Sequence, residues 1–135
     1  MNGLQAVEDM ALYLHENQSV RVFKFEKTTG YRGEYIAVNH LPFTFGQAVN
    51  QNNSLNVNVH VPALSKGVAD IPRLTELVSV VEDLIPYENA QEEDLGLNLH
   101  GCYYSISSIS PPMEDKDGTY FVNIRVKLYT NQIKL

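Results

Sequence analysis

The chain contains no tryptophan and a single cysteine, Cys102, among its 135 residues. One thiol cannot form an internal disulfide, and zinc sites need three or four converging ligands. Tyr103 and Tyr104 follow Cys102 directly, which indicates an ordinary strand residue more than an activated nucleophile. The scarcity of cysteine therefore predicts an intracellular chain without disulfides.

Long hydrophobic runs are also missing. No stretch reaches the roughly 18 consecutive apolar residues of a membrane-spanning helix. The segment from Met1 to Asn17 carries Glu8 and Asp9 where a signal peptide would need an uninterrupted apolar stretch. We expect neither export nor membrane anchoring.

Basic residues are few, with 10 Lys and Arg against 16 Asp and Glu, and the formal net charge is −6. Such a balance disfavours sequence-independent binding to phosphate backbones and to anionic lipid surfaces. It excludes the commonest nucleic-acid-binding and membrane-binding classes, so we predict neither as a partner.

Motifs that carry chemistry are absent from the sequence as well. It has no glycine-rich phosphate loop, dinucleotide fingerprint or nucleophile elbow. His15, His40, His60 and His100 lack metal-binding spacing; His40 and His60 could approach each other across strands, but two partly exposed histidines are the better interpretation. Cys102 and His100 would share a strand face without a third, orienting group. We predict no catalytic residue, no cofactor, no metal ligand and no enzymatic activity.

What the sequence does contain is periodicity, beginning with two helices. Leu4 to Glu16 shows apolar residues at helical spacing. A second helix is predicted from Asp70, a good N-cap, through an apolar stripe from Ile71 to Leu84, and Pro86 stops it. With 44% hydrophobic residues, the chain can form one core, so we predict a single α+β domain over residues 1–135.

The alternation of apolar and polar residues predicts the strands. Val20 to Glu26 and Glu34 to Leu41 flank a turn and are expected to pair as an antiparallel hairpin. Leu55 to Val61 alternates valine with asparagine and histidine, and segments 102–110 and 120–128 are expected to form a C-terminal hairpin. The predicted fold is a mostly antiparallel sheet of about five strands with two helices packed on one face.

Two connections are candidates for function. The segment Phe43 to Asn53 combines aromatic and amide residues without a period, and its aromatic rings either anchor a partner or cap the domain's own core. Glu88 to Asp94 is strongly acidic, and its carboxylates, like those of Glu82 and Asp83, are expected to be solvated and not catalytic.

A family resemblance covers nearly the whole chain. It is carried by Glu34-Tyr35-Ile36-Ala37-Val38-Asn39, by Asn56-Val57-Asn58-Val59-His60-Val61-Pro62, by the helix 71–85 and by the final strand 120–129. In order, length and general sequence these segments resemble the tail-terminator, or tail-completion, proteins of long-tailed bacteriophages.

The resemblance implies a structural virion or prophage protein that is free in the host cytoplasm before assembly. It would form a ring, commonly a hexamer, on the last layer of the tail tube and join the tube to the head connector. The expected assembly interface is Phe43, Phe45, Gln47 and Asn50. An acidic loop facing the lumen, where DNA must slide without sticking, would consist of Glu88, Glu92, Glu93 and Asp94.

Two alternatives stay open at this point. One is another head-to-tail connector or minor tail protein of similar size. The other is a small α+β ligand-binding domain or enzyme, with a pocket between the core helix and the sheet that is lined by His40, His60 or Cys102.

Overall fold

The computed structural model describes residues 2–43, 53–88 and 96–130. These residues form two helices and seven strands. Their bounds, in chain order, are α1 Gly3–Asn17, β1 Arg21–Lys24, β2 Tyr35–His40, β3 Asn53–Pro62, α2 Ile71–Leu84, β4 Leu97–Leu99, β5 Cys102–Ile109, β6 Met113–Glu114 and β7 Thr119–Thr130. Neither described helix has the length and apolar character needed to cross a bilayer.

The strands form one sheet in the order β1-β2-β3-β7-β5-β4, with β6 paired to β7 beside this path. At its centre β3 and β7 pair antiparallel from Asn53 opposite Leu128 to Pro62 opposite Thr119. One face of this pair is apolar and buried, as the alternation predicts. Its buried members are Leu55, Val57, Val59, Val61, Val122, Ile124, Val126 and Leu128.

Both helices pack on that apolar face, and their ends are capped by side chains. Asn2 accepts a hydrogen bond from the backbone N–H of Gln5 at the start of α1, and Asp70 accepts one from Arg73 at the start of α2. The Tyr13 hydroxyl donates to the Leu84 carbonyl at 2.7 Å and ties the two helices together. The predicted helices, and their position on one face, are confirmed.

The predicted hairpin of β1 and β2 is wrong. The two strands run parallel, with Arg21 opposite Tyr35. After β1, Phe25 has a φ of 69°, and the connection to β2 places Tyr31 against Phe23 and Tyr35. The ring centroids of Phe23 and Tyr35 lie 5.1 and 6.0 Å from that of Tyr31. Burial of these rings favours the parallel arrangement over a tight hairpin.

The α+β class is confirmed, but the sheet is mixed and larger than predicted. The C-terminal pairing of β5 with β7 is as expected, whereas the short strands β4 and β6 were not predicted. β4 and β5 are joined by His100 and Gly101, which have φ values of 55° and 84° and form a tight turn. Short strands of two or three residues carry too little periodicity to be predicted from sequence.

The sheet face opposite the helices is polar at its centre, and neighbouring side chains there bond to one another. Asn56 donates to Asn39 at 2.8 Å, and Asn123 donates to Asn56 and Asn58 at 3.0 and 2.7 Å. Arg125 Nε donates to Asn56 at 3.1 Å. We call this region the open sheet face, and its half-exposed members are Asn39, Asn56, Asn58, Asn123, Arg125 and Lys127.

Candidate functional site

Three rings stand side by side at one end of the face opposite the helices. Tyr35, His60 and Phe121 lie opposite one another on β2, β3 and β7. The His60 ring stacks on Tyr35 at 4.2 Å and on Phe121 at 4.9 Å, with interplanar angles of 9° and 19°. Because the rings are held by strand register, His60 is buried, with only 5% of its surface exposed. The expectation that it is partly exposed is wrong.

A chain of hydrogen bonds joins His60 to a carboxylate. His60 Nδ1 lies 2.9 Å from Thr119 Oγ1, and the Thr119 hydroxyl donates to Asp117 Oδ1 at 2.6 Å. Since the single hydroxyl proton of Thr119 is used toward Asp117, its oxygen accepts from His60, whose Nδ1 therefore carries the proton. The Tyr35 hydroxyl donates to the other oxygen, Asp117 Oδ2, at 2.6 Å.

Two further charged groups complete this cluster. The Lys27 ammonium lies 3.5 Å from Asp117 Oδ2, and Asp115 Oδ2 lies 3.7 Å from His60 Nδ1. A cleft of about 380 Å³ opens beside Asp117. Its lining residues are Lys27, Gly30, Tyr31, Arg32, Gly33, Pro62, Asp117, Gly118 and Thr119.

The environment shifts three pKa values in this cluster. Burial lowers the pKa of His60, although the carboxylates of Asp117 and Asp115 oppose the shift. Burial raises the pKa of Tyr35 well above its usual range, and its bond to Asp117 adds to that rise. Burial also acts to raise the pKa of Asp117, but hydrogen bonds from Thr119 and Tyr35 outweigh it and bring the value to about 2. Near neutral pH the cluster thus holds a neutral imidazole, a neutral phenol and an ionised Asp117.

The same residues form a potential metal-binding set. Ligand atoms of His60, Asp115 and Asp117 lie within 4.8 Å of one another, a grouping that sequence spacing did not reveal. A cation there would have to displace the proton of His60 Nδ1 and compete with Lys27 for Asp117. Asp117 already accepts hydrogen bonds from Thr119 and Tyr35. The arrangement fits a charge-assisted clamp between the sheet and its connections better than a metal centre.

A second polar cluster lies buried beneath α1. Asp9 Oδ2 is buried without a hydrogen-bond partner among the described residues, and the Tyr104 hydroxyl is buried beside the Cys102 thiol. Asp9 Oδ2 is 3.4 Å from His100 Nδ1, so the structure supplies the third group that the sequence lacked. His100 lies in the turn before β5, however, and burial raises the pKa of Cys102 to about 11. A buried, protonated thiol is a poor nucleophile, and this cluster does not resemble a catalytic triad.

The predicted assembly residues fall mostly outside the described part of the chain. Phe43 is half-buried, packs against the main core and contacts the His40 ring at 5.4 Å. These contacts are those of a ring that caps the domain's own core. Phe45, Gln47 and Asn50 lie outside the described residues, so the interface assignment stays a prediction.

The acidic loop is described only at its first residue. Glu88 is exposed, and its carboxylate pairs with Lys127 at 3.0 Å. Its backbone N–H donates to the Ile106 carbonyl at 2.7 Å, which fixes the start of the loop beside β5. Glu92, Glu93 and Asp94 lie outside the described residues, and the lumen-facing role stays a prediction.

The other histidines do not join the cluster. His40 pairs with Leu55, at the far end of the β2–β3 ladder from His60, so the two imidazoles do not meet. The available sequence signal was a histidine on the polar side of β3 together with the turn Asp115-Lys116-Asp117-Gly118. Only the register of β3 with β7, which places Pro62 opposite Thr119, brings this turn close to His60.

Comparison of the chain with protein-family models, with curated proteins and with solved structures gave no match.

Proposed function

We propose that this chain is a structural virion or prophage protein of the tail-terminator kind, which caps a tail tube as a ring and joins it to the head connector. It works through protein contacts and has no enzymatic activity. The order of its elements supports the proposal, since α1, the valine-rich β3, α2 and the paired β5 and β7 follow the order on which the resemblance rests.

The observation that carries the proposal is the two-sided character of the central strands. On one side β3 and β7 bury valine, isoleucine and leucine under the helices. On the other side they present half-exposed amides together with Arg125 and Lys127, and neither described helix packs there. A polar sheet face of this kind suits a protein–protein contact. Its amides and arginine hydrogen-bond to one another in the free chain and can exchange these bonds for hydrogen bonds to a partner.

The edges of the sheet fit a ring-forming subunit as well. The edge strands in the described path, β1 and β4, have four and three residues. Such short edges discourage open-ended strand addition between copies. Contacts through faces and loops can instead close by rotation into a ring.

Sedimentation velocity over a concentration series, followed by negative-stain microscopy, tests the proposal. Closed rings with a central hole are expected, either for the protein alone or after co-expression with the tube protein encoded by a neighbouring gene. A protein that stays monomeric and does not bind that tube protein would contradict the proposal.

Ligand binding at the cleft beside Asp117 is a second candidate function. The cleft carries Lys27 and Arg32, which suit a small anion, although Lys27 is paired with Asp117 in the same lining. Thermal unfolding with inorganic phosphate, compared with chloride at equal ionic strength, tests this. A rise in melting temperature that Arg32→Ala abolishes would favour this function, and an equal response in both salts would contradict it.

A further inference from the structure

The open sheet face has a charge pattern that selects its partner. Among the six described members of this face none is acidic, and the charged ones are Arg125 and Lys127. Lys127 pairs with Glu88 from the neighbouring connection, whereas no described carboxylate lies within ion-pair distance of Arg125. The Arg125 side chain is half-buried among amides, and a guanidinium in such a position can bind a carboxylate through two parallel hydrogen bonds.

The helical layer on the opposite side of the molecule is acidic. Glu76 and Asp83 are both exposed on α2 and lie seven positions apart in the sequence, so they share one face of the helix. Arg73 is the only basic residue of α2; it donates two hydrogen bonds to Glu34 and a longer one, at 3.3 Å, to the exposed Glu76. Ile71, with 48% of its surface exposed, adds apolar area at the start of the same helix.

We propose that the open sheet face receives the outer face of α2 from a second copy of this chain. Arg125 then binds Glu76 or Asp83 of that copy. Because the two surfaces lie on opposite sides of one subunit, the contact is heterologous and repeats from subunit to subunit. The proposal rests on the proposed ring function and specifies which surfaces form the ring.

The size of the contact sets its strength. The members of the open sheet face lie on three strands about 4.8 Å apart and span five positions of about 3.3 Å each, so the face covers roughly 240 Å². A stable pair usually buries about 800 Å² on each partner. Two free copies should therefore associate weakly, and the ring is stabilised by closure and by the tube beneath it.

Charge reversal on both surfaces tests the proposal. Arg125→Glu and the double variant Glu76→Lys/Asp83→Lys should each weaken self-association about tenfold or more, as measured by sedimentation velocity and amine cross-linking. An equimolar mixture of the two variants should associate again, because each supplies the charge that the other lacks. Lys116→Glu and Glu16→Lys, which change exposed charges elsewhere, are the matched controls and should behave as wild type.

Arg125→Gln is the control for misfolding, because it removes the charge but keeps an amide that can hydrogen-bond to Asn56. It should weaken association less than Arg125→Glu and leave the circular dichroism spectrum unchanged. If Arg125→Glu associates as Lys116→Glu does, or if the mixture does not recover, the assigned surfaces are wrong although the ring function stands. If the wild-type protein neither associates nor cross-links at any concentration, on or off the tube, both the inference and the proposed function fail.

Discussion

The His60 imidazole stacks on the Tyr35 ring at 4.2 Å, with the two residues directly opposite each other on β3 and β2. The two side chains also reach the same carboxylate, since Tyr35 bonds to Asp117 directly and His60 bonds to it through Thr119. The ring stack and the hydrogen bonds thus join β2 and β3 to the β6–β7 turn.

Stability should depend on pH through His60. Burial lowers the folded-state pKa of His60 below its unfolded value near 6.5, so the unfolded chain binds more protons between these two values. The contribution of His60 to stability is therefore full above pH 6.5 and is lost as the pH falls through the folded-state pKa. Urea denaturation between pH 5.5 and 7.5 should show the free energy of unfolding decreasing toward the acidic end.

Variants identify the group responsible for this pH dependence. His60→Phe keeps a ring between Tyr35 and Phe121 but cannot titrate, and it should flatten the profile over this range. His15→Gln, at an exposed helix position, should leave the profile as in the wild type. If the free energy of unfolding falls with decreasing pH equally steeply in His60→Phe and in the wild type, another group controls the pH dependence.

Tyr35 should stabilise the fold through its hydroxyl. Tyr35→Phe removes the donor to Asp117 Oδ2 and should cost about 1 kcal/mol, because the acceptor is an ionised carboxylate. The loss should also raise the pKa of Asp117 from about 2, so that acid unfolding begins at a higher pH. A double-mutant cycle with Asp117→Asn, read by urea denaturation, measures the coupling directly. Additive effects of the two substitutions would rule out this interaction.

Tyr104→Phe, unlike Tyr35→Phe, should not lower the free energy of unfolding. The Tyr104 hydroxyl is fully buried, and its neighbour is the Cys102 thiol, a weak hydrogen-bonding group, so removal of the hydroxyl relieves a desolvation cost and loses little hydrogen-bond energy. We expect unchanged stability or a gain of up to about 1 kcal/mol. Tyr13→Phe is the matched control, since the Tyr13 hydroxyl donates to Leu84 at 2.7 Å, and it should cost about 1 kcal/mol. A larger loss for Tyr104→Phe than for Tyr13→Phe, measured by chemical denaturation, would contradict this account.

The two phenylalanines after β2 should separate stability from assembly. Phe43 packs against the core, so Phe43→Ser should lower the free energy of unfolding by about 1–3 kcal/mol. Phe45→Ser should abolish ring formation while leaving the melting temperature near that of wild type, as the predicted interface requires. Ring formation by Phe45→Ser, seen by negative-stain microscopy, would remove Phe45 from the interface.

Local chemistry was sufficient to predict much of the fold. The alternation of valine with asparagine and histidine in β3 determines which side of that strand is buried. Asp70, followed by Pro72 and an apolar stripe, determines where α2 begins and which face packs on the sheet. These features depend on residues close together in the chain, and a single sequence therefore contains the information needed to predict them.

The partners of β1, by contrast, depend on distant contacts. A turn of glycines and threonines between two strands favours a hairpin locally, but burial of Phe23 and Tyr35 under Tyr31 selects the parallel arrangement. The energy of that packing appears only once the sheet exists, so tertiary structure overrides the local preference.

The charge and the apolar periodicities by themselves determined the α+β class and the net negative charge of the chain. Only the tertiary structure decided that His60 meets Asp115 and Asp117, because strand register brings together side chains more than fifty positions apart. It also decided that Arg125 stands on a polar face away from the acidic helices, because that separation requires β7 to lie at the centre of the sheet.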